Sequence, residues 1–350
     1  MTEPTTRRLS AFWKAASLIL ANLLILLGLL YGFEFYLNRT SPLHRLPPEP
    51  IEERNRLGFR EREFAVPKPA GLCRIMVLGD SFTWGKGVWV EERYTNLTEN
   101  LLNAAYPDRR FEVLSFGFPG APTTRERDAL RDYKGETDPD LIVVGFVIND
   151  PQTKSQNYSI EREQFEQRIG QPLDALLEEV EDVGLEYTAE LVRQALDSFI
   201  VKAGIVPSWQ EALQRTYEPD SYEWQQFVQA LRDIKTMSDE LGLPQPILTI
   251  LNQGAYTDRP TDYGQPDEEL QILLNWYRQA EQTGAQLGFN PINHEAEFAA
   301  QMPDEIMAVT ILDAHPSAKM HRIYAEKLAK QIQEYVDDGR LCPPESANGP

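Results

Sequence analysis

Three polar side chains in this chain could together carry out nucleophilic chemistry. Ser81 lies just beyond the short apolar run Ile75–Leu78. A serine hydroxyl is a weak nucleophile until a base takes its proton and donors stabilise the oxyanion. His315 could be that base, and Asp313 could orient its ring and stabilise its charged form. Side chains at i and i+2 of an extended segment point the same way, so both could face one site.

An oxyanion hole for this serine can also be proposed. The side-chain amide of Asn149 could donate one hydrogen bond, and the backbone N–H of Ser81 could donate another. Gly120 could add a backbone N–H with no side chain in the way. Each residue also has a purely structural alternative, because Asn149 could cap a helix and Gly120 could satisfy a turn beside Pro119.

These residues need a scaffold that brings distant segments to one edge. Five apolar runs are candidate strands, and two helical patterns lie between them. The strand candidates are Arg74–Leu78, Phe111–Phe116, Leu141–Val147, Ile247–Leu251 and Met307–Leu312, and the helices are Tyr94–Ala105 and Thr124–Tyr133. Strands that alternate with helices predict a parallel sheet covered on both faces. The carboxyl ends of its strands would then place the candidate side chains on one rim.

A long helical insertion is predicted over residues 151–243, since one crossover needs far fewer residues. Apolar stripes at helical spacing run through Leu191–Ile200 and Trp224–Ile234. The insertion could wall or lid a cleft, or it could be a packing elaboration that touches no substrate. Both interpretations remain open at this point.

The amino terminus predicts a membrane anchor. Residues Ala15–Phe33 form an uncharged apolar run long enough to cross a bilayer as a helix. The run has no cleavage site of the signal-peptide kind and no polar face, which favours an uncleaved anchor over a signal peptide or a buried core helix. Arg7, Arg8 and Lys14 precede it, so residues 1–14 should be cytoplasmic and the remainder extracytoplasmic. Residues 34–70 are expected to be a linker.

Composition limits the partners and cofactors. The formal net charge of −20 argues against nucleic acid as the main partner. Four histidines and two cysteines without ligand spacing predict no metal, and no cofactor is expected. A disulfide between Cys73 and Cys342 is permitted outside the cytoplasm. We expect instead that Cys73 is buried and that Cys342 is unpaired in a tail of residues 341–350.

The order of these motifs resembles the SGNH (GDSL-type) hydrolase family. Gly79-Asp80-Ser81-Phe82, a glycine after the second strand, Asn149-Asp150, and Asp313-Ala-His315-Pro316 carry the resemblance, which runs from Arg74 to Ile332 outside the insertion. It implies a three-layer α/β/α domain over residues 71–340 around a five-stranded parallel, flavodoxin-like sheet.

The resemblance also implies roles for the candidate side chains. Ser81 would be the nucleophile, His315 the base and Asp313 its partner, with Gly120 and Asn149 completing the oxyanion hole. The commonest family spacing places the aspartate one residue earlier, at Leu312 here, and many members carry asparagine where this chain has Ser115.

Three functions are compatible with these observations. The first is a membrane-anchored serine esterase, acting on an ester-bearing small molecule or an acylated glycan. The second is an O-acyltransferase that passes the acyl group to an extracytoplasmic polysaccharide. The third is a non-catalytic carbohydrate-binding or scaffold module, against which the joint presence of serine, histidine and asparagine argues.

Overall fold

A computed structural model describes residues 3–40, 54–152, 160–310 and 313–343. The chain forms two compact units, Met1–Arg45 with Ile160–Pro207 and Leu46–Ser159 with Ser208–Pro350. The predicted insertion over 151–243 is therefore shared between the two units. The proline-rich part of the predicted linker, Leu312 and the end of the tail lie outside the described residues.

The second unit contains a five-stranded parallel sheet of order β2-β1-β3-β4-β5. Its strands are β1 Leu72–Gly79, β2 Arg110–Gly117, β3 Leu141–Phe146, β4 Ile247–Ile250 and β5 Asn290–Ile292. Every residue of β1, β3 and β4 is buried. Because successive side chains of a strand point to opposite faces, both faces of the sheet are covered. This confirms the predicted fold class.

The helices of both units follow in chain order. They are α1 Glu3–Thr40, α2 Ser81–Trp84, α3 Tyr94–Ala105, α4 Thr123–Thr137, α5 Ile160–Phe165, α6 Gln171–Asp182, α7 Glu186–Lys202, α8 Trp209–Thr216, α9 Tyr222–Glu240, α10 Glu268–Gln286, α11 Glu295–Gln301 and α12 Ala318–Asp337. Around the sheet, α3 packs on α12 and α4 packs on α9. The predicted helix at Tyr94–Ala105 is confirmed with the same bounds, and the one at Thr124–Tyr133 extends further at both ends.

The prediction for the last sheet strand is wrong. Ala308–Thr310 (β6) pairs antiparallel with Asp313–Pro316 (β7) in a separate two-stranded ribbon. The fifth strand of the main sheet is β5 instead, a three-residue edge strand that contains Pro291. Three residues with one apolar side chain carry no periodic signal, and an edge strand tolerates proline because its free side needs no donor.

The predicted linker is also wrong over its second half. In the segment of residues 54–71, Phe59, Arg60, Glu61 and Phe64 are buried. Phe59 packs on Phe116 of β2, with 4.7 Å between the ring centroids. This segment is therefore part of the folded unit, although its density of charge and proline is typical of a linker.

The two cysteines are joined, contrary to expectation. Cys73 at the start of β1 and Cys342 beyond α12 form a disulfide, with 5.9 Å between their Cα atoms. The carbonyl of Cys342 also accepts a hydrogen bond from Arg109 at 3.3 Å, which holds the tail against the loop before β2. The sequence did not predict this disulfide, because the two cysteines are 269 residues apart and come together only when α12 returns along the sheet.

The first unit is built around α1 and the helices α5–α7. Within α1, residues Ala16–Leu37 are long and apolar enough to cross a membrane by length and composition. Phe165, Ile200 and Val206 form a small core in this unit. Of the apolar stripe predicted on Leu191–Ile200, only Ile200 is buried, whereas the stripe on Trp224–Ile234 faces the main core of the second unit.

Candidate active site

The turn that carries Ser81 is tight and well supported. Asp80 caps α2, accepting a hydrogen bond from the backbone N–H of Phe82 at 2.8 Å, so that Ser81 is the first residue of the helix. A Cβ on Gly79 would lie only 2.0 Å from Oγ1 of Thr83. Glycine therefore lets the strand pass directly beneath the helix and fixes the serine at the carboxyl end of β1.

Ser81, His315 and Asp313 are hydrogen-bonded in series. Nε2 of His315 lies 2.8 Å from Oγ of Ser81. On the other side of the ring, Oδ1 of Asp313 contacts Nδ1 and accepts the backbone N–H of His315 at 3.0 Å. The aspartate and the histidine occupy i and i+2 of the extended strand β7. The ribbon thus brings both side chains to the serine, with the imidazole between a hydroxyl and a carboxylate.

The pKa of Asp313 reflects this contact. Burial favours the protonated acid, but the hydrogen bonds and charge of His315 outweigh burial and hold the pKa of Asp313 below its ordinary value. The carboxylate therefore stays charged, and a charged partner stabilises the imidazolium that forms when the ring accepts a proton.

Asn149 reaches the same site through Asp80. Its amide donates to Oδ2 of Asp80 at 3.3 Å, and Oγ of Ser81 lies 3.3 Å from the same oxygen. The turn that presents Asn149 is held by Asp150, whose side chain accepts the N–H of Val147 at 2.8 Å. The structural alternative for Asn149, a helix cap, does not apply in the described chain, where residues 148–151 form a turn.

Gly120 is linked to Asn149 through its loop. The loop between β2 and α4 is tied to the Asn149 turn by a bond from the N–H of Thr123 to the carbonyl of Asp150 at 3.1 Å. Gly120 has a φ of 67°, a left-handed conformation that favours glycine. Gly120 can therefore both form the turn beside Pro119 and lie in the loop that adjoins the Asn149 turn.

Several supporting residues were not predicted from the sequence. Arg60 donates to the carbonyls of Trp84 at 3.3 Å and Val88 at 2.8 Å, beyond the end of α2. Ser115 donates to the carbonyl of Thr83 at 2.8 Å and so fastens β2 to the same helix. Tyr217, from the second half of the insertion, donates to the carbonyl of Ile148 at 2.9 Å. Arg60, Ser115 and Tyr217 are distant in sequence from the segments that they hold, so no local pattern predicted these contacts. Asp80 differs, because it directly precedes Ser81 in the sequence.

Three buried carboxyl groups lie behind the nucleophile. Burial raises the pKa of Asp80, partly offset by the hydrogen bond from Phe82, the charge of His315 and the amide of Asn149. Burial and then the charges of the neighbouring carboxylates raise the pKa values of Glu126 and Asp150 well above their ordinary range. Glu126 is 2% exposed and Asp150 is 1% exposed, so both carboxyl groups are shielded from water.

Glu126→Gln is expected to increase the free energy of unfolding at about pH 8 more than at about pH 4. The folded state raises the pKa of Glu126 above its ordinary value of 4.5. The stability contributed by the protonated acid is complete below that value and is lost as pH rises towards the folded-state pKa. Glutamine keeps the shape without a charge, so urea unfolding at the two pH values should show the difference. The half-buried neighbour Asp128, which is paired with Arg127 and Arg131, supplies the control Asp128→Asn. An equal effect of Glu126→Gln at both pH values would contradict the expectation.

One group of possible metal ligands occurs among the described residues. Cys73, Asp140 and Cys342 place one ligand atom each within 4.8 Å of one another. The two sulfurs are joined as a disulfide, and a metal needs the thiolate form. This group therefore does not fit a metal ion in its oxidised state.

Residues 77–323 match the GDSL-like lipase/acylhydrolase family. Among solved structures, an acetyl xylan esterase is 12% identical, with 74% of this chain and 99% of that chain covered and a TM-score of 0.43. An acetylxylan esterase from Geobacillus stearothermophilus is 16% identical, with 74% and 93% covered and a TM-score of 0.41. An alpha/beta hydrolase enzyme from the metagenome of Lake Arreo, Spain, is 12% identical, with 74% and 94% covered and a TM-score of 0.43. No curated protein matches the chain.

Proposed function

Because the chain belongs to the GDSL-like lipase/acylhydrolase family, we propose that it is a serine esterase that works through an acyl-enzyme on Ser81. The observation that carries this proposal is the series of contacts from Asp313 through His315 to Ser81. A serine, a base and a carboxylate connected in this order are the arrangement that activates a hydroxyl for attack on a carbonyl. The substrates proposed are ester-bearing small molecules or acylated glycans.

The proposed mechanism follows from the contact between the hydroxyl of Ser81 and the imidazole of His315. Oγ of Ser81 attacks the ester carbonyl while its proton passes to Nε2 of His315, 2.8 Å away. The backbone N–H of Ser81, the amide of Asn149 and the N–H of Gly120 receive the developing oxyanion. The imidazolium then gives its proton to the leaving alcohol, and the acyl group stays on Ser81. Water, deprotonated by the same imidazole, releases the acid and restores the serine.

The membrane placement is part of the proposal. The helix α1 is retained as an anchor, with its amino terminus cytoplasmic and the esterase outside. Arg7, Arg8 and Lys14 before the apolar run support this orientation. Retention is supported by Glu34, which is 2% exposed and accepts the N–H groups of Tyr187 and Thr188, because a cleaved signal would not be packed into the fold. The disulfide supports an oxidising compartment.

A serine-directed fluorophosphonate probe tests the esterase assignment. The folded wild-type protein should form one stable adduct on the tryptic peptide that contains Ser81. His315→Ala should slow the labelling by about 10²-fold or more, since the serine loses its base. A folded protein that hydrolyses no small acetyl ester and leaves Ser81 unlabelled would fit a non-catalytic module and reject the proposal.

A further inference from the structure

The turn between α6 and α7 contacts α1 inside its apolar span. The hydroxyl of Tyr31 donates to the carbonyl of Val183 at 2.9 Å. One helical turn further along α1, the carboxylate of Glu34 accepts the N–H of Tyr187 at 2.7 Å and the hydroxyl of Thr188 at 3.0 Å. Both α1 residues belong to the span Ala16–Leu37. The turn is therefore attached to that span at a fixed level.

That level is close to the end of the span. At 1.5 Å per residue, Glu34 lies about 5 Å and Tyr31 about 9 Å before Leu37 along the helix axis. A 22-residue span is about 33 Å long, close to the roughly 30 Å thickness of a hydrocarbon core. When α1 crosses a bilayer, the turn that begins at Val183 is thus held at the boundary between acyl chains and headgroups. Val183 is 58% exposed there.

The helices on both sides of this turn expose apolar stripes. Leu176 within α6 is 60% exposed, and Ile169, in the π-helical turn Glu166–Gly170 that precedes α6, and Val183, the residue that follows α6, are 52% and 58% exposed. Together they form a row of exposed apolar side chains from the start of α6 to its end. In a soluble protein such a face normally packs on another element.

The second stripe lies on α7. Leu191, Val192 and Phe199 fall within about 100° of its circumference and are 37%, 42% and 63% exposed. The opposite side of α7 is polar, with Glu190 near Arg193 and with Asp197 paired to Arg162. Between Leu191 and Phe199 this helix therefore separates an exposed apolar face from a charged face.

We propose that α6, α7 and their turn form an interfacial foot that rests in the outer headgroup layer of the membrane. The two exposed stripes face the acyl boundary, and the charged faces point to water. Amphipathic helices bind bilayers in this way, through burial of the apolar face at the headgroup level. The foot is rich in carboxylates, so its partner is a zwitterionic lipid surface rather than an anionic one. This inference rests on the membrane placement proposed above.

The burial of Glu34 is consistent with the proposed interfacial foot. A carboxylate at the edge of the hydrocarbon layer is costly unless donors satisfy it. The amino terminus of α7 supplies two backbone N–H groups, and Thr188 supplies a hydroxyl. A carboxylate at a helix amino terminus is also stabilised by the helix dipole. The contact of Glu34 with Tyr187 and Thr188 also fixes the start of α7 at the end of the apolar span of α1.

Photolabelling from the lipid phase tests the foot with the full-length chain. The protein is reconstituted in phosphatidylcholine vesicles that contain a phosphatidylcholine with a diazirine near the top of one acyl chain. After illumination, digestion and mass spectrometry, adducts are expected on peptides from α1 and on peptides with Leu176, Val183, Leu191 and Phe199. Tyr222 and Leu241, exposed apolar residues of the other unit, provide the control surface and should stay unlabelled.

A double variant, Leu176→Ser with Phe199→Ser, should reduce the adducts on α6 and α7 about tenfold and leave those on α1 unchanged. Its hydrolysis of a soluble acetyl ester should stay within about twofold of wild type, which shows that the protein is folded.

The outcomes separate the two proposals. If α1 is labelled but α6 and α7 carry no more adducts than Tyr222 and Leu241, the foot is rejected and the anchor stands. If α1 is unlabelled as well, the membrane placement itself is rejected.

Discussion

Ser81→Ala is expected to lower kcat/KM for a small acetyl ester by about 10⁴-fold or more. The substitution removes the oxygen that attacks the ester and carries the acyl group in the proposed acyl-enzyme. Nε2 of His315 then faces a methyl group in place of the hydroxyl 2.8 Å away. Because Ser81 and His315 act as one unit, the double variant Ser81→Ala with His315→Ala should be no slower than either single variant. Steady-state kinetics on the purified chain measures both effects.

A matched serine lies two residues beyond His315. Ser317 is at the start of α12, and its hydroxyl has no hydrogen-bond partner in the described structure. Ser317→Ala should therefore change kcat/KM by less than about threefold. If Ser81→Ala kept activity within tenfold of wild type while remaining folded, the nucleophile would have to be another residue and the mechanism would be wrong.

Glu61→Ala should reduce the free energy of unfolding by about 3–5 kcal/mol. The carboxylate of Glu61 accepts the guanidinium of Arg93 at 2.8 Å and the N–H of Ser115 at 2.9 Å. The side chains of Arg93 and Glu61 are only 0% and 2% exposed. Without Glu61 the Arg93 charge stays buried with no counter-ion, and the cost of such a charge exceeds that of losing a pair at the surface. Equilibrium unfolding in urea measures the loss.

Glu63, two residues along the chain, provides the control. It also pairs with an arginine, Arg56 at 2.9 Å, but its side chain is 58% exposed. Glu63→Ala should cost no more than about 1 kcal/mol. A loss for Glu61→Ala as small as that for Glu63→Ala would show that the segment before β1 is not part of the cooperative fold. A large loss only for Glu61→Ala would mean that a stable soluble fragment must begin upstream of Glu61.

The sequence was sufficient to predict much of the candidate site. Ser81 and Asn149 each follow a strand that is buried along its length, and Gly120 follows β2, whose second half is buried. In a parallel sheet such strands end on the same edge. The i, i+2 spacing of Asp313 and His315 indicated that both side chains could face one partner if the segment were extended. The structure has that segment extended as β7 and brings both side chains to Ser81.

Other features depend on contacts that local patterns do not encode. His315 stands on a separate ribbon and not on a sheet strand, because the run at Ala308–Thr310 pairs with the chain that follows it. Arg60 and Glu61 resemble solvated linker charges until their partners, the carbonyl of Val88 and the guanidinium of Arg93, are known. Burial of a charged side chain is set by its partners in space, and single-residue propensities carry no information on them.

The bond between Cys73 and Cys342 also changes how the esterase unit would respond to proteases. It closes a covalent ring of chain with a sequence separation of 269, and both Ser81 and His315 lie within this ring. A single cut in a surface loop opens the ring but leaves one connected molecule, so the serine and the histidine cannot diffuse apart. Separation requires either two cuts or a reductant. In the oxidising compartment proposed above, where reductants are scarce, the disulfide would keep the serine and the histidine on one molecule after a single cleavage.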